Sequence, residues 1–288
     1  MSIWHVILLA IVQGFAELLP VSSSAHVVVA EKLMGINPSA PETTLLLVML
    51  HTGTMLAVIL YFWNKWRRAF FGSVADFKQA ALLLIVATVV TGVIGEALIK
   101  LIEKVWLRGQ PTAEVEQLFS HLELIAPALA FAGILILVAG MREKRPKEGN
   151  SPAGLGMDTK QAGWIGAIQG LCLPFRGLSR SGATISTGML AGVERLRAEE
   201  FSFALAVILT PAADGRELLR LMKAHELSGG SLGSAMMPSL LGAFFAFLAG
   251  LLALRWLSRW LEEGRWYWFG IYCLLASVAV GFLYHAGY

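Results

Sequence analysis

From Thr44 to Trp63 the chain runs for 20 residues without a formal charge, with His51 as the one side chain in the stretch of a type that titrates near neutral pH. A helix needs about 20 mostly apolar residues to cross the hydrocarbon core of a bilayer, and this run has company. Ala80–Ile99 carries a single carboxylate, Glu96; Leu122–Gly140 and Trp266–His285 are comparably apolar; Ser239–Leu257 is interrupted by Arg255 alone. A water-soluble core has no use for so many runs of this length. Composition agrees: 56% of the 288 residues are hydrophobic and 15% charged, and the mean hydropathy is +0.65, against roughly 45–50% apolar and about 25% charged in soluble domains. The chain reads as an all-α integral membrane protein. Its net charge of +3 sits in the loops, as a positive-inside bias produces, and gives no sign of a nucleic-acid partner. Cys172 and Cys273 lie in apolar sequence without metal or disulfide spacing and read as packing residues. No basic n-region or cleavage site marks the first apolar run, so it is expected to belong to the mature structure.

Two stretches repeat each other. AIVQGFAELLPVSSSAH from Ala10 and AIQGLCLPFRGLSRSGAT from Ala167 share Ala-Ile, Gln-Gly, a proline and a serine-rich triplet. Gln13-Gly14 matches Gln169-Gly170, Pro20 matches Pro174, and Ser22-Ser23-Ser24 matches Ser179-Arg180-Ser181. Further on, Leu56-Ala57-Val58-Ile59-Leu60 recurs as Leu205-Ala206-Val207-Ile208-Leu209. Two matches in the same order, at nearly the same offset, indicate an internal duplication. Both serine-rich motifs interrupt apolar segments too short to span. Short, broken segments at matching positions of two halves point to a binding site built from re-entrant helices, because irregular backbone at membrane depth must be covered by protein or a wet cavity.

The basic residues set an expected path. Placing Lys65–Lys78, Arg142–Lys160 and Arg255–Arg265 in the cytoplasm gives two inverted-topology repeats, each a re-entrant helical hairpin plus three transmembrane helices. The first covers residues 1–140 (hairpin 1–30, spans 44–63, 80–100 and 122–140), a cytoplasmic loop covers 141–160, and the second covers 161–288 (hairpin 161–193, spans 201–221, 232–254 and 266–285). An odd number of spans inverts the second half, so the two hairpins would meet near mid-membrane. The span 201–221 contains Pro211, Asp214 and Arg216, and the 100–121 loop has basic residues of its own.

The first break holds Gln13, Glu17, Ser22, Ser23, Ser24 and His26; the second holds Arg176, Ser179, Arg180, Ser181 and Thr184. Gln13 and Glu17 share a helix face, as do Ser22 and His26. A serine is expected to cap each resumed helix, which would point two helix N-termini at one small volume. Free N–H groups and the helix dipole suit phosphate, and an arginine adds paired donors. Histidine moves protons near neutral pH, a carboxylate can act as base or cation ligand, and a hydroxyl beside a base is a candidate nucleophile. Together this is a kit for phosphoryl transfer, where positioning and charge stabilisation dominate. Taken singly, an intramembrane serine or threonine serves more often as a hydrogen bond between helices. His51 reads as a satisfied core histidine, Glu96 and Asp214 as solvated groups nearer the ends of their spans, Arg255 and Arg259 as snorkelling, and the aromatics of Trp266–Trp268 as an interface belt. Clustering on paired breaks is what sets Glu17, His26 and Arg180 apart.

These motifs resemble the undecaprenyl-diphosphate phosphatase family of bacterial membranes, the bacitracin-resistance type. Its Glu/Gln-x-x-x-Glu followed by Pro-Val-Ser-Ser and a histidine appears from Gln13 through Glu17 to His26, and its Ser-Arg-Ser-x-x-Thr core as Ser179-Arg180-Ser181-Gly182-Ala183-Thr184. Phe175-Arg176 separates Pro174 from Gly177, a departure from the family pattern. The resemblance implies hydrolysis of undecaprenyl diphosphate to the monophosphate, recycling the lipid carrier for peptidoglycan synthesis. It also implies a multi-pass protein of the bacterial cytoplasmic membrane with its site toward the periplasm, a divalent cation (Mg or Ca, Glu17 being the candidate ligand), and a homodimer. Glu17, His26 and Ser23 would run the chemistry, with Ser23 or water attacking phosphorus. Gln13, Ser22, Ser179, Arg180, Ser181 and Thr184 would hold the substrate. The type-2 phosphatidic-acid phosphatase pattern is excluded, because the histidine it requires six residues after the arginine is Ser186 here. The competing reading is a transporter or flippase of polyprenyl phosphate, since opposed hairpins serve transport as readily as hydrolysis.

Overall fold

The protein is described by a computed structural model covering residues 1–37, 40–105, 118–119, 121–142, 155–228, 233–262 and 264–287. The basic cluster Lys144, Arg145 and Lys147, most of the expected 141–160 loop and Arg108 lie outside these residues. All regular structure among the described residues is helical: α1 Ile3–Leu18, α2 Ser23–Leu33, α3 Pro41–Phe70, α4 Val74–Val105, α5 Leu122–Arg142, α6 Thr159–Cys172, α7 Arg180–Leu190, α8 Arg195–Ser228, α9 Gly233–Glu262 and α10 Tyr267–His285. Five of them, α3, α4, α5, α9 and α10, are long and apolar enough to cross a membrane. The 34-residue α8 is long enough, but Asp214, Arg216 and Glu217 keep it out of that group.

Local chemistry explains the boundaries. Pro41 stands in the first turn of α3, where a missing N–H costs nothing, with Glu42 beside it at the positive end of the helix. Asp158 and Gln161 close a reciprocal capping box at the start of α6. α1 stops at Leu19, which is extended as the residue before Pro20 must be. The second break turns on Gly177, whose φ of 102° carries the backbone past Ile125; a Cβ there would stand 2.6 Å from the Ile125 carbonyl oxygen. The expected spans 44–63, 80–100 and 201–221 lie inside the longer helices α3, α4 and α8, whereas 122–140, 232–254 and 266–285 begin at, or one residue before, the first residue of α5, α9 and α10; α3 continues through Lys65, Arg67 and Arg68 to Phe70, because long basic side chains extend a helix well into the interface.

Helices meet through small residues. α1 lies on α9, where a Cβ on Gly14 would stand 2.8 Å from the Ala246 carbonyl oxygen. α6 lies on α4 in the same way: a Cβ on Gly166 would fall 2.8 Å from the Ala87 Cα, and Thr91 donates to the Gly166 carbonyl at 3.0 Å. Gly133 and Gly270 bring α5 and α10 together. With lipid as solvent, apolar burial drives helix association weakly, and close backbone approach supplies the packing that replaces it. A central cluster around Phe62, Trp66, Phe203 and Trp266 ties α3, α8 and the start of α10 together. Trp266, read from sequence as part of an interface belt, is instead fully buried and donates its indole N–H to Ser186 at 3.0 Å. Between Leu82 and Val93 the outward face of α4, with Leu82, Ile85, Val89 and Val93 exposed, is apolar, as a lipid-facing surface should be.

Candidate active site

α1 and α2 pack against each other around the first break, and α6 and α7 around the second. The two breaks are in contact: the Gly177 N–H reaches Ser24 Oγ at 3.4 Å, and Ser181 Oγ reaches the Leu19 carbonyl at 3.5 Å. Ser23 and Arg180, which occupy the same place in the repeated triplets, are the first residues of α2 and α7. Both converge on Glu17. Ser23 Oγ donates to Glu17 Oε2 at 2.5 Å, and Arg180 Nη2 donates to Glu17 Oε1 at 2.6 Å. Gln13 donates to Oε2 from one turn back, at 3.2 Å. Thus one carboxylate, only 10% exposed, is shared between a hydroxyl and a guanidinium separated by over 150 residues of chain. The other terminal nitrogen of Arg180, Nη1, is buried without a hydrogen-bond partner among the described residues. A buried donor left unpaired is costly, and here it adjoins the ion pair.

The break backbone is shaped to this end. Ser22 is the one non-glycine described residue at positive φ (69°), and it is buried. Strain of this kind costs about 1–3 kcal/mol and gathers at functional sites. Ser22 occupies the N-cap of α2 as expected, yet its hydroxyl makes no cap; it lies 3.3 Å from Ser24 Oγ, so no side chain blocks the first-turn N–H groups of α2. Ser179 does cap α7, accepting from the Gly182 N–H at 3.2 Å.

The remaining expected site residues lie close by in varied surroundings. His26 points away from the Glu17 carboxylate. Its Nδ1 faces the Ser22 carbonyl at 2.7 Å; a carbonyl only accepts, so Nδ1 carries the hydrogen, and Nε2 accepts from Tyr272 O–H at 2.7 Å. The two rings also stack, with centroids 5.6 Å apart. Thr184 is fully buried, its hydroxyl bonded to the Arg180 carbonyl and at 2.6 Å to Ser202 of α8, so it braces α7 rather than lining an opening. Arg176 stacks over Phe119 at 4.5 Å. Sequence reasoning missed two residues beside the site. His51 of α3 brings Nε2 to 3.8 Å from Glu17 Oε2, and its Nδ1 stands 3.9 Å from Asp214 Oδ1 on α8. A titratable group in mid-span was the available signal.

The resemblance implies a divalent cation, with Glu17 as its candidate ligand. Among the described residues no three His, Cys, Asp or Glu side chains converge, and both Glu17 oxygens are already bonded, to Arg180 and to Ser23 with Gln13. They do not form a cage for a resident dication.

Fold and site together define a polytopic membrane protein whose polar centre is a serine, a carboxylate and an arginine gathered from two helix breaks. The chain matches the family described as bacitracin resistance protein BacA over residues 6–279. It is similar to undecaprenyl-diphosphatase 2 of Acinetobacter baylyi, 55% identical with 97% of each chain covered. It is also similar to undecaprenyl-diphosphatase 2 of Burkholderia ambifaria, at 35% identity over 96% of this chain and 95% of the relative, and to undecaprenyl-diphosphatase 1 of Burkholderia pseudomallei, at 36% over 99% of both. The chain belongs to the BacA family.

Proposed function

We infer that the chain is a phosphatase that hydrolyses undecaprenyl diphosphate to undecaprenyl phosphate and inorganic phosphate. It thereby returns the lipid carrier to peptidoglycan synthesis and confers bacitracin resistance. Full-length relatives of that name support the reading. The observation that carries it is the convergence of Ser23 and Arg180 on opposite oxygens of Glu17.

The geometry supports a serine route. Ser23 already directs its hydrogen at Glu17, so Glu17 is placed to take that proton as Oγ attacks the terminal phosphorus. The bond from that phosphorus to the bridging oxygen breaks, undecaprenyl phosphate leaves, and water then cleaves the phosphoserine to release inorganic phosphate. Arg180 would offer its unpartnered Nη1 to the phosphoryl oxygens, and the uncapped first turn of α2 would offer backbone N–H groups. His26, held by Ser22 and Tyr272, would serve the leaving-group side. The cation, magnesium or calcium, would accompany the diphosphate as its counter-ion.

A cavity of about 520 Å3 between α1, α9 and α10 supports a lipid substrate. Phe15, Leu19, Trp256 and Leu275 line it, and His26 and Tyr272 supply its polar groups, so a prenyl chain there would continue into the break. The inverted repeat is supported by packing that exchanges between halves: α1 on α9 answers to α6 on α4, with the matched Gly14 and Gly170 at the two contacts. α3 packs extensively on α9, whereas its exchanged pair, α8 and α4, touches briefly, so the halves have diverged. The basic ends of α3, α5 and α9 support a bacterial inner-membrane topology with the site toward the periplasm, and the family resemblance supports a homodimer.

The test is phosphate release from undecaprenyl diphosphate by purified protein in detergent, where no compartments exist. We expect turnover by the parent protein and its loss in Ser23→Ala. Binding without release would make the protein a carrier, and full activity in Ser23→Ala would exclude the serine route.

A further inference from the structure

We propose that His51, itself steadied by Asp214, is a positioning residue for Glu17: it supplies the N–H that holds the carboxylate toward Ser23 once Arg180 turns to the phosphate. The inference rests on the phosphatase reading. Among the described residues Glu17 has one cationic neighbour within hydrogen-bond range, Arg180, on Oε1. The diphosphate needs that same guanidinium. When Nη2 follows Nη1 onto the phosphoryl oxygens, in the paired grip a guanidinium makes on phosphate, Glu17 would lose its cationic contact and keep only the neutral donors Gln13 and Ser23 on Oε2.

His51 is the side chain placed to replace it. Its Nε2 lies 3.8 Å from Oε2, just beyond hydrogen-bond length, and its side chain is 33% exposed, which leaves it room to close the difference. Its other nitrogen faces Asp214 at 3.9 Å from the opposite side, so the imidazole stands between two carboxylates, one on α1 and one on α8. The backbone beneath it is fixed. Leu50 and Thr54 are fully buried, and Gly53 lies so close to Ala243 of α9 that no Cβ could be accommodated there. The ring can therefore turn while its attachment stays put. His26 cannot take this part, since both its nitrogens are engaged by Ser22 and Tyr272. No bond is made or broken by His51; its contribution is the direction in which Glu17 faces.

A positioning N–H makes a distinctive prediction, because an amide side chain can supply one too. In the detergent assay, His51→Leu should lower kcat about tenfold or more while KM stays within about threefold. His51→Gln should recover at least a third of the parental kcat. Asp214→Asn, which keeps the shape and removes the charge behind the ring, should lower kcat about two- to fivefold. Thermal unfolding of each variant in the same detergent should match the parent within a few degrees. Should His51→Leu not fold, His51→Gln and Asp214→Asn decide the matter: kcat in Asp214→Asn equal to the parent, or in His51→Gln less than a tenth of it, overturns the proposal. Unaltered kcat in His51→Leu, or a rise confined to KM, overturns it as well. Failure of the parent protein to release phosphate would sink the phosphatase reading and this inference with it; an active parent beside an indifferent His51 series would sink the inference alone.

Discussion

Replacing Arg180 by lysine isolates what the guanidinium adds beyond charge. Arg180 joins Glu17 through Nη2 at 2.6 Å and leaves Nη1 buried without a partner. A guanidinium can therefore meet the phosphate with Nη1 and bring Nη2 across after it, because both donors lie in one rigid plane. A lysine ammonium keeps the positive charge as a single point and cannot supply that paired grip. The variant should thus lose about one charge-assisted hydrogen bond in the transition state, about 1.5–3 kcal/mol. At roughly 1.4 kcal/mol per decade, that is a roughly 10- to 150-fold fall in kcat/KM. Phosphate release in detergent, measured across substrate concentrations, reads it directly. An Arg180→Lys protein within about threefold of the parent would show that the phosphate does not use two guanidinium nitrogens, and the account of Nη1 would be wrong.

Tyr272→Phe removes the hydroxyl that donates to His26 Nε2 and preserves the ring stack. A neutral hydrogen bond of about 0.5–1.5 kcal/mol implies a roughly two- to tenfold fall in kcat/KM, and an unchanged value would reduce Tyr272 to packing. On α6, Gly163 and Gly166 form a paired control. A Cβ at Gly163 meets nothing within 4 Å, whereas one at Gly166 meets the Ala87 backbone. Gly163→Ala should leave the melting temperature in detergent unchanged or raised, and Gly166→Ala should lower it by an overpacking cost of about 1–3 kcal/mol. Equal behaviour of the two would contradict the α4–α6 contact.

The membrane class was legible because long uncharged runs leave a helix little alternative, and the paired breaks were legible because a duplicated motif repeats its prolines and serines. That the breaks hold Glu17, Ser23 and Arg180 followed from clustering. His51 and Asp214 were not recovered. Each lies outside the two breaks, on a helix of its own, and periodicity gives the face of a residue but not the helix opposite that face. Trp266 misled for a related reason: an aromatic run at a helix end looks the same whether it meets headgroups or, as here, turns its indole inward to Ser186. The serine cap expected on the first resumed helix is absent: Ser22 holds the N-cap position, but at a φ of 69° its hydroxyl lies against Ser24 instead, and no spacing rule encodes a backbone outlier.

Glu17 stands four residues after Gln13, but the place four residues after Gln169 belongs to Leu173, whose side chain lies against Gly95 of α4. Of the two matched positions, only the first therefore carries a carboxylate. On the proposed reading one arm keeps the chemistry and the other is given over to gripping, so a headgroup presented the wrong way round would meet hydrocarbon where it needs a base. Directionality would then be written into a leucine.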